Sequence, residues 1–223
     1  MDLGPIAFLL SCFGLPLGIG LVFYNRQRTQ RLRRLLRETP VVRAADVRRD
    51  RGVKIVGTVE YHAEPTAAPL SDRLCAFYSV VVKEAGGGNA AEREIFREEN
   101  GVDFCLRDAS GVVLVRPQSL LFADLQSDFT RRITSFLLDD ERLVAYLKQH
   151  GVSSEGMIFQ RNLTAYEAIV LPGKQLAVAG IAQREESAVH YRDADTPTPP
   201  IVLAAIGDRP LFISDDASTF GGA

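Results

Sequence analysis

From Leu3 to Tyr24 the chain carries no charged side chain. A run of that length spans the roughly 30 Å hydrocarbon core of a bilayer as a helix, so the sequence predicts a transmembrane anchor over residues 3–24. Pro16 and the Gly14-x-x-x-Gly18 pair are tolerable there, because neighbouring groups in a membrane satisfy freed backbone polar groups. The glycine pair is read first as composition and second as a helix-pairing face. A cleaved signal peptide would need a basic stretch before the apolar core and small residues at a cut site after it. Here only Met1 and Asp2 come before, and Arg26, Arg28, Arg31, Arg33, Arg34 and Arg37 come after. By the positive-inside rule those arginines keep the following chain cytoplasmic and place the N-terminus outside.

Leu32, Leu35 and Leu36 repeat at helical spacing among the arginines, so residues 25–40 read as a basic amphipathic stem that Thr39-Pro40 stops. Two roles stay open for it. It lies against anionic lipid headgroups, each basic residue contributing on the order of 1 kcal/mol, or it is a solvated charged helix that only obeys the topology rule.

The remaining chain is long enough, and at 46% hydrophobic over 223 residues apolar enough, to bury a core. A formal net charge of -2 gives no global attraction to phosphate backbones, so no nucleic-acid partner is expected. After Pro40 the helical period gives way to alternation. In VKIVGTVE, Val53, Ile55, Gly57 and Val59 share one face, as a half-buried strand requires. Cys75 to Glu84 is a second strand, ended by the flexible turn Gly86-Gly87-Gly88-Asn89. Val102 to Pro117 predicts a hairpin turning at Asp108 and Gly111, Tyr166 to Ala182 one turning at Pro172-Gly173, and Pro200 to Ser214 one turning at Gly207-Asp208. Asp139 or Asp140 to Gly151 reads as a helix with Leu143, Val144 and Leu147 as its buried stripe. The expected fold class is therefore α+β: a transmembrane helix over 3–24, the stem over 25–40, a β-rich domain of antiparallel hairpins with at least one helix over 41–219, and a tail over 220–223.

Few residues suggest chemistry. Cys12, Cys75 and Cys105 show no C-x-x-C spacing, so neither a zinc ribbon nor a redox dithiol can be written. His62, His150 and His190 are scattered, and the polar stretch Glu92 to Glu99 reads as solvated surface. No catalytic residue, metal ligand or cofactor is assigned. Cys75 is read as packing at the start of a core strand; a histidine brought beside it by the fold is the arrangement that would make it a nucleophile.

Five pieces in order, VKIVGTVE, APLSDRLCAFYSVVVKE, FCLRDASGVVLVRP, YEAIVLPGKQLAVAGIA and RPLFISDDAS, resemble the GIDE or "beside a membrane" domain. That domain is found in membrane-bound ubiquitin-protein ligases of organelles and in prokaryotic membrane proteins. The resemblance marks Gly57, Pro69, Leu70, Ser71, Cys75, Tyr78, Asp108, Gly111, Pro172 and Gly173 as fold-defining or interaction positions, with no catalytic role. It departs from the ligases at the C-terminus, where the family's RING, a zinc module of clustered thiolates and imidazoles, has no counterpart. The expectation is a single-pass membrane protein, bound to lipid through residues 3–24, whose cytoplasmic domain is a non-catalytic interaction or scaffold module for a protein partner. The alternative is a ubiquitin ligase family member whose RING part is absent from this chain.

Overall fold

The alternation in Val53 to Glu60 becomes one of the two longest walls of a closed barrel. The computed structural model describes residues 33–34, 36–86, 91–117, 121–133, 140–152, 162–184, 201–206 and 209–221. The chain divides into two units, residues 1–35 and 36–223; in the first, Arg33 and Arg34 are described, both helical. The second unit runs through β1 (Gly52–Tyr61), β2 (Thr66–Ala67), β3 (Leu74–Cys75), β4 (Phe77–Glu84), β5 (Arg93–Gly101), β6 (Phe104–Arg107), β7 (Val112–Val115), β8 (Leu121–Asp124), β9 (Phe129–Ile133), α1 (Glu141–Gln149), β10 (Leu163–Val170), β11 (Gln175–Arg184), β12 (Ile201–Ala204) and β13 (Leu211–Ser214).

β1 is long enough to pair twice. Its first part runs antiparallel to β11, from Gly52 opposite Ile181 to Thr58 opposite Gln175, and its last part antiparallel to β6, from Thr58 opposite Arg107 to Tyr61 opposite Phe104. β6 continues antiparallel to β7, β7 lies parallel to β12, and β12 returns antiparallel to β11, which closes the ring. Taken in chain order, these five strands stand around the ring as first, second, third, fifth and fourth, with the third and fifth parallel. This is the connectivity of an OB-type barrel. Closure leaves no strand edge on the ring. Gly57 sits at the changeover between the two partners of β1, where a Cβ would lie 2.5 Å from the Arg107 carbonyl oxygen; only glycine permits that approach. Ile55, Val59, Phe104, Leu106, Val113, Val115, Leu176, Val178 and Leu203 fill the interior.

Two excursions from the barrel build a second, antiparallel sheet in the order β5-β4-β10-β9. The chain leaves between β1 and β6 to form β2 to β5, and again between β7 and β11 to form β8, β9, α1 and β10. It re-enters through Leu171 to Lys174, where Gly173 has a φ of 84°, a left-handed conformation natural to glycine. That turn is stitched to β1: the Gly173 amide donates to the Val59 carbonyl and the Val59 amide to the Lys174 carbonyl, each at 2.9 Å. A fully buried lysine closes the chain ends of this unit. Lys54 Nζ donates to the carbonyls of Leu36 at 2.5 Å, Thr219 at 3.1 Å and Gly221 at 2.7 Å, and burial lowers its pKa.

The α+β expectation is corrected. Strand makes up 52% and helix 14% of what is described, and a β-barrel is the organising element. The reason is that Arg93 to Gly101, which takes in most of the stretch from Glu92 to Glu99, is strand rather than loop, that two more strands, β8 and β9, follow Pro117, and that α1 has nine residues. At 1.5 Å per residue α1 covers about 14 Å, half of a hydrocarbon core. No helix among the described residues is long and apolar enough to cross a membrane, so the single-pass topology with a cytoplasmic domain is not supported. Leu3 to Tyr24, Arg26, Arg28 and Arg31 lie outside the described residues.

Two expected hairpins are corrected as well. β10 and β11 are joined by the Pro172-Gly173 turn, yet β10 belongs to the second sheet and β11 to the barrel. β12 and β13 lie end to end along the side of β11 that faces away from β1, against residues 181–184 and 177–179, and pair with each other only through an isolated bridge between Ile206 and Arg209; Gly207 and Asp208 lie outside the described residues. The hairpin of β6 and β7 and the helix α1 stand where the sequence placed them.

Candidate interaction site

The densest polar arrangement lies on the helix-covered face of the second sheet. Register alone assembles one row across it: Glu98 of β5 faces Val80 of β4, Val80 faces Glu167 of β10, and Glu167 faces Phe129 of β9. The neighbouring row is Phe96, Val82, Ala165 and Arg131. α1 covers these rows with Leu143, Tyr146 and Leu147, and the turn before β3 covers them with Ala68 and Leu70. α1 forms here because Asp140 caps it, accepting from the Leu143 amide at 3.0 Å, and because Gly151, at a φ of 68°, ends it.

Glu98 is the hub of the first half of the face. Its Oε1 accepts from Tyr78 Oη at 2.8 Å, its Oε2 accepts from Tyr146 Oη, and His150 Nε2 lies 3.2 Å from Oε2. Phe96 packs against the rings of Tyr146 and His150, the latter with centroids 4.8 Å apart. Burial, and then the hydrogen bond to Glu98, pushes the Tyr78 phenol up to about 12, and the same causes raise Tyr146 well above the ordinary phenol range. Both hydroxyls therefore stay protonated and act as donors that pin α1 to β4 and β5.

Glu167, fully buried, organises the other half. Its Oε2 accepts from the Leu70 amide at 2.7 Å, which seats the Pro69-Leu70-Ser71 turn on the sheet. Arg131 braces the same turn: its Nη1 donates to Asp140 Oδ2 at 2.8 Å and its Nη2 to the Leu70 carbonyl at 3.4 Å. Asp72, in the left-handed region at a φ of 59°, pairs with Arg142 of α1. Cys75 is fully buried beneath the turn, its Sγ 3.6 Å from the Thr66 carbonyl oxygen. Burial, and then the charge of Glu167, pushes its thiol up to about 11, so Cys75 is a packed thiol and not a thiolate nucleophile.

The structure thus brings Pro69, Leu70, Ser71, Cys75 and Tyr78 to one face and leaves the other marked positions in the barrel. Gly57 spaces β1 from β6, and Pro172-Gly173 makes the crossing turn. Asp108 and Gly111 form the β6–β7 turn, where Asp108 Oδ1 accepts from the Ser110 and Gly111 amides and Oδ2 from the Ala44 amide at 2.8 Å. Burial pushes the Asp108 carboxyl up, but those amide donors outweigh it and hold it below the ordinary carboxylate range. Arg37 donates to Ser218 Oγ at 2.8 and 3.1 Å, a contact within the second unit. Cys75 and Cys105 are both buried.

Sequence reasoning missed Glu98, Glu167, Arg131, Tyr146 and His150. The signal for Glu98 was the alternation of Phe96, Glu98 and Asn100, masked by the charges of β5; for Glu167 there was none, because a carboxylate in mid-strand suggests a solvated face. Among the described residues no group of three or more His, Cys, Asp or Glu side chains is placed to hold a metal ion. What the arrangement leaves on the surface is a pair of large apolar side chains beside the turn, Tyr61 at 40% and Leu74 at 58% exposure, joined by a 3.0 Å bond from Tyr61 Oη to the Leu74 carbonyl. Comparison with family models, with curated proteins and with solved structures finds no match to this chain.

Proposed function

We propose that this chain is a non-catalytic interaction module of the kind the GIDE resemblance implies, and that it recognises a protein partner through Tyr61 and Leu74. The observation that carries the reading is that exposed pair: two large apolar side chains held side by side at the junction of the barrel and the Glu167-seated turn. A tyrosine whose hydroxyl is already fixed offers rigid contact area with little entropy left to lose, which is how binding hot spots are built. The non-catalytic part is supported by the commitment of Tyr78, Tyr146 and His150 to Glu98 and by the protonated, buried thiol of Cys75.

The test places a photo-crosslinking residue at position 74 of the full chain and, as a control, at exposed Arg209. The reading expects a discrete adduct from position 74 that is absent at position 209, that disappears on Tyr61→Ser, and that the unlabelled wild-type chain competes away while Leu74→Asp does not. Equal adducts from both positions, or an adduct insensitive to Tyr61→Ser, would remove Tyr61 and Leu74 from the account.

A further inference from the structure

The turn that leads into β1 is rich in exposed arginines. Arg48, Arg49 and Arg51 are exposed there, and Arg184 is exposed at the end of β11. Backbone bonds hold the two segments together: the Asp50 amide donates to the Ala182 carbonyl at 2.8 Å, and the Ala182 amide to the Arg51 carbonyl at 3.0 Å. Arg43, also exposed, belongs to the same stretch. Its acidic residues are Asp46, whose carboxylate is 3.9 Å from Arg43 Nε, and Asp50, 3.7 Å from Arg49 Nε, both in well-exposed pairs. Asp108, which accepts from the Ala44 amide, is committed to backbone amides. Arg48, Arg51 and Arg184 have no ion-pair partner among the described residues. Among the described residues five arginines therefore stand against two aspartates here; Glu185 and Glu186, which follow Arg184 in the sequence, lie outside the described residues.

The side chains between them decide what kind of anion fits. Val41 is 39% exposed, Val42 and Val47 are partly buried against the core, and residues 41–52 contain no aromatic side chain. Single-stranded nucleic acid is held by aromatic platforms on which bases stack. A bilayer surface asks only for cationic side chains with aliphatic ones among them.

We propose that this end of the barrel is a docking surface for anionic phospholipid headgroups, with Arg48, Arg49, Arg51 and Arg184 as the contacts. This is adsorption of the barrel end to the headgroup surface, and it goes beyond the Tyr61–Leu74 reading without depending on it. Each arginine near such a surface strengthens binding by roughly fivefold, and the attraction fades with salt as the Debye length shrinks below about 10 Å.

Cosedimentation of the full chain with vesicles tests it, comparing phosphatidylcholine with a phosphatidylcholine and phosphatidylserine mixture of about 70:30. The measured quantity is the gain on adding phosphatidylserine, which separates charge from any apolar contribution of residues 3–24. The quadruple variant Arg48→Gln, Arg49→Gln, Arg51→Gln, Arg184→Gln should lose that gain by roughly several hundredfold. The same four positions changed to Lys should keep it, as should Leu74→Asp, so failure of the partner reading leaves this one standing. Circular dichroism and the melting midpoint check that each variant is folded. Three results would overturn the proposal: no gain in the wild type, a gain retained by the folded Gln variant, or tighter binding of a single-stranded DNA oligonucleotide that the same four substitutions abolish.

Discussion

The barrel and the helix-covered sheet solve the same problem with different materials. The barrel interior is apolar throughout, with Ile55, Phe104, Leu106, Val113 and Leu176 wholly buried, and its closed ring pairs each wall strand on both sides. The face under α1 buries apolar groups too, yet two carboxylates sit in its central row, Glu98 and Glu167, and the covering elements are fastened to them. A non-directional hydrophobic core fills volume and tolerates rearrangement. A buried carboxylate accepts from particular donors in particular places, and leaving those donors unmet costs more than the bond gains. The difference teaches where this chain spends specificity: the barrel supplies stability, and the polar row fixes where the turn and the helix sit.

The largest test of that contrast is Phe104→Ala in the barrel. It should cost about 3–5 kcal/mol in urea denaturation and lower the stability of both regions together, because the second sheet hangs from barrel strands. If the second sheet kept its denaturation midpoint, the two would be independent folding units and the contrast would be drawn in the wrong place. Tyr146→Phe is next. It removes one hydroxyl from Glu98 and should cost about 1.5–3 kcal/mol, with faster hydrogen exchange in α1 and unchanged exchange in β1 and β11. The smallest effect concerns acid. Asp108 has a folded-state pKa below its unfolded value, so its stabilisation is present above the unfolded pKa, near 4, and is lost as pH falls through the folded value. Asp108→Asn should be less stable than the wild type at neutral pH, and the two should converge in strong acid; a constant gap at both pH values would show that the amide bonds to Asp108 do not depend on its charge.

Local structure was legible in the sequence wherever one face of an element is apolar and the other polar. Val53 to Glu60 alternates and is β1; Asp140 and Gly151 bracket α1 as a cap and a stop should. Partners were not legible. The apolar runs within Tyr166 to Ala182 suggest two strands, and the Pro172-Gly173 turn says that the chain bends between them. Nothing local says that one strand pairs with β4 and the other with β1. Barrel closure is a long-range property that only the assembled ring expresses. β5 was missed because an edge strand carries charges that guard its open side, and those charges look like a solvated loop. The candidate site was half visible: Pro69, Leu70, Ser71, Cys75 and Tyr78 do converge, but the carboxylates that hold them lie on strands distant in sequence. His150 beside Glu98 shows the same limit, since neither residue has a local pattern that names the other.

Residue-level hydrogen exchange of the free, full chain tests the central claim, a closed barrel carrying a second face fastened by Glu98 and the buried Glu167. The account predicts that amides of β1, β6 and β11 exchange only through global unfolding, and that α1 and the turn from Ala68 to Cys75 open together at lower free energy. It also predicts that Glu167→Gln lowers that second value alone. Rapid exchange along β1 opposite β11 would contradict barrel closure, and separate opening of α1 and the turn would contradict the shared polar row.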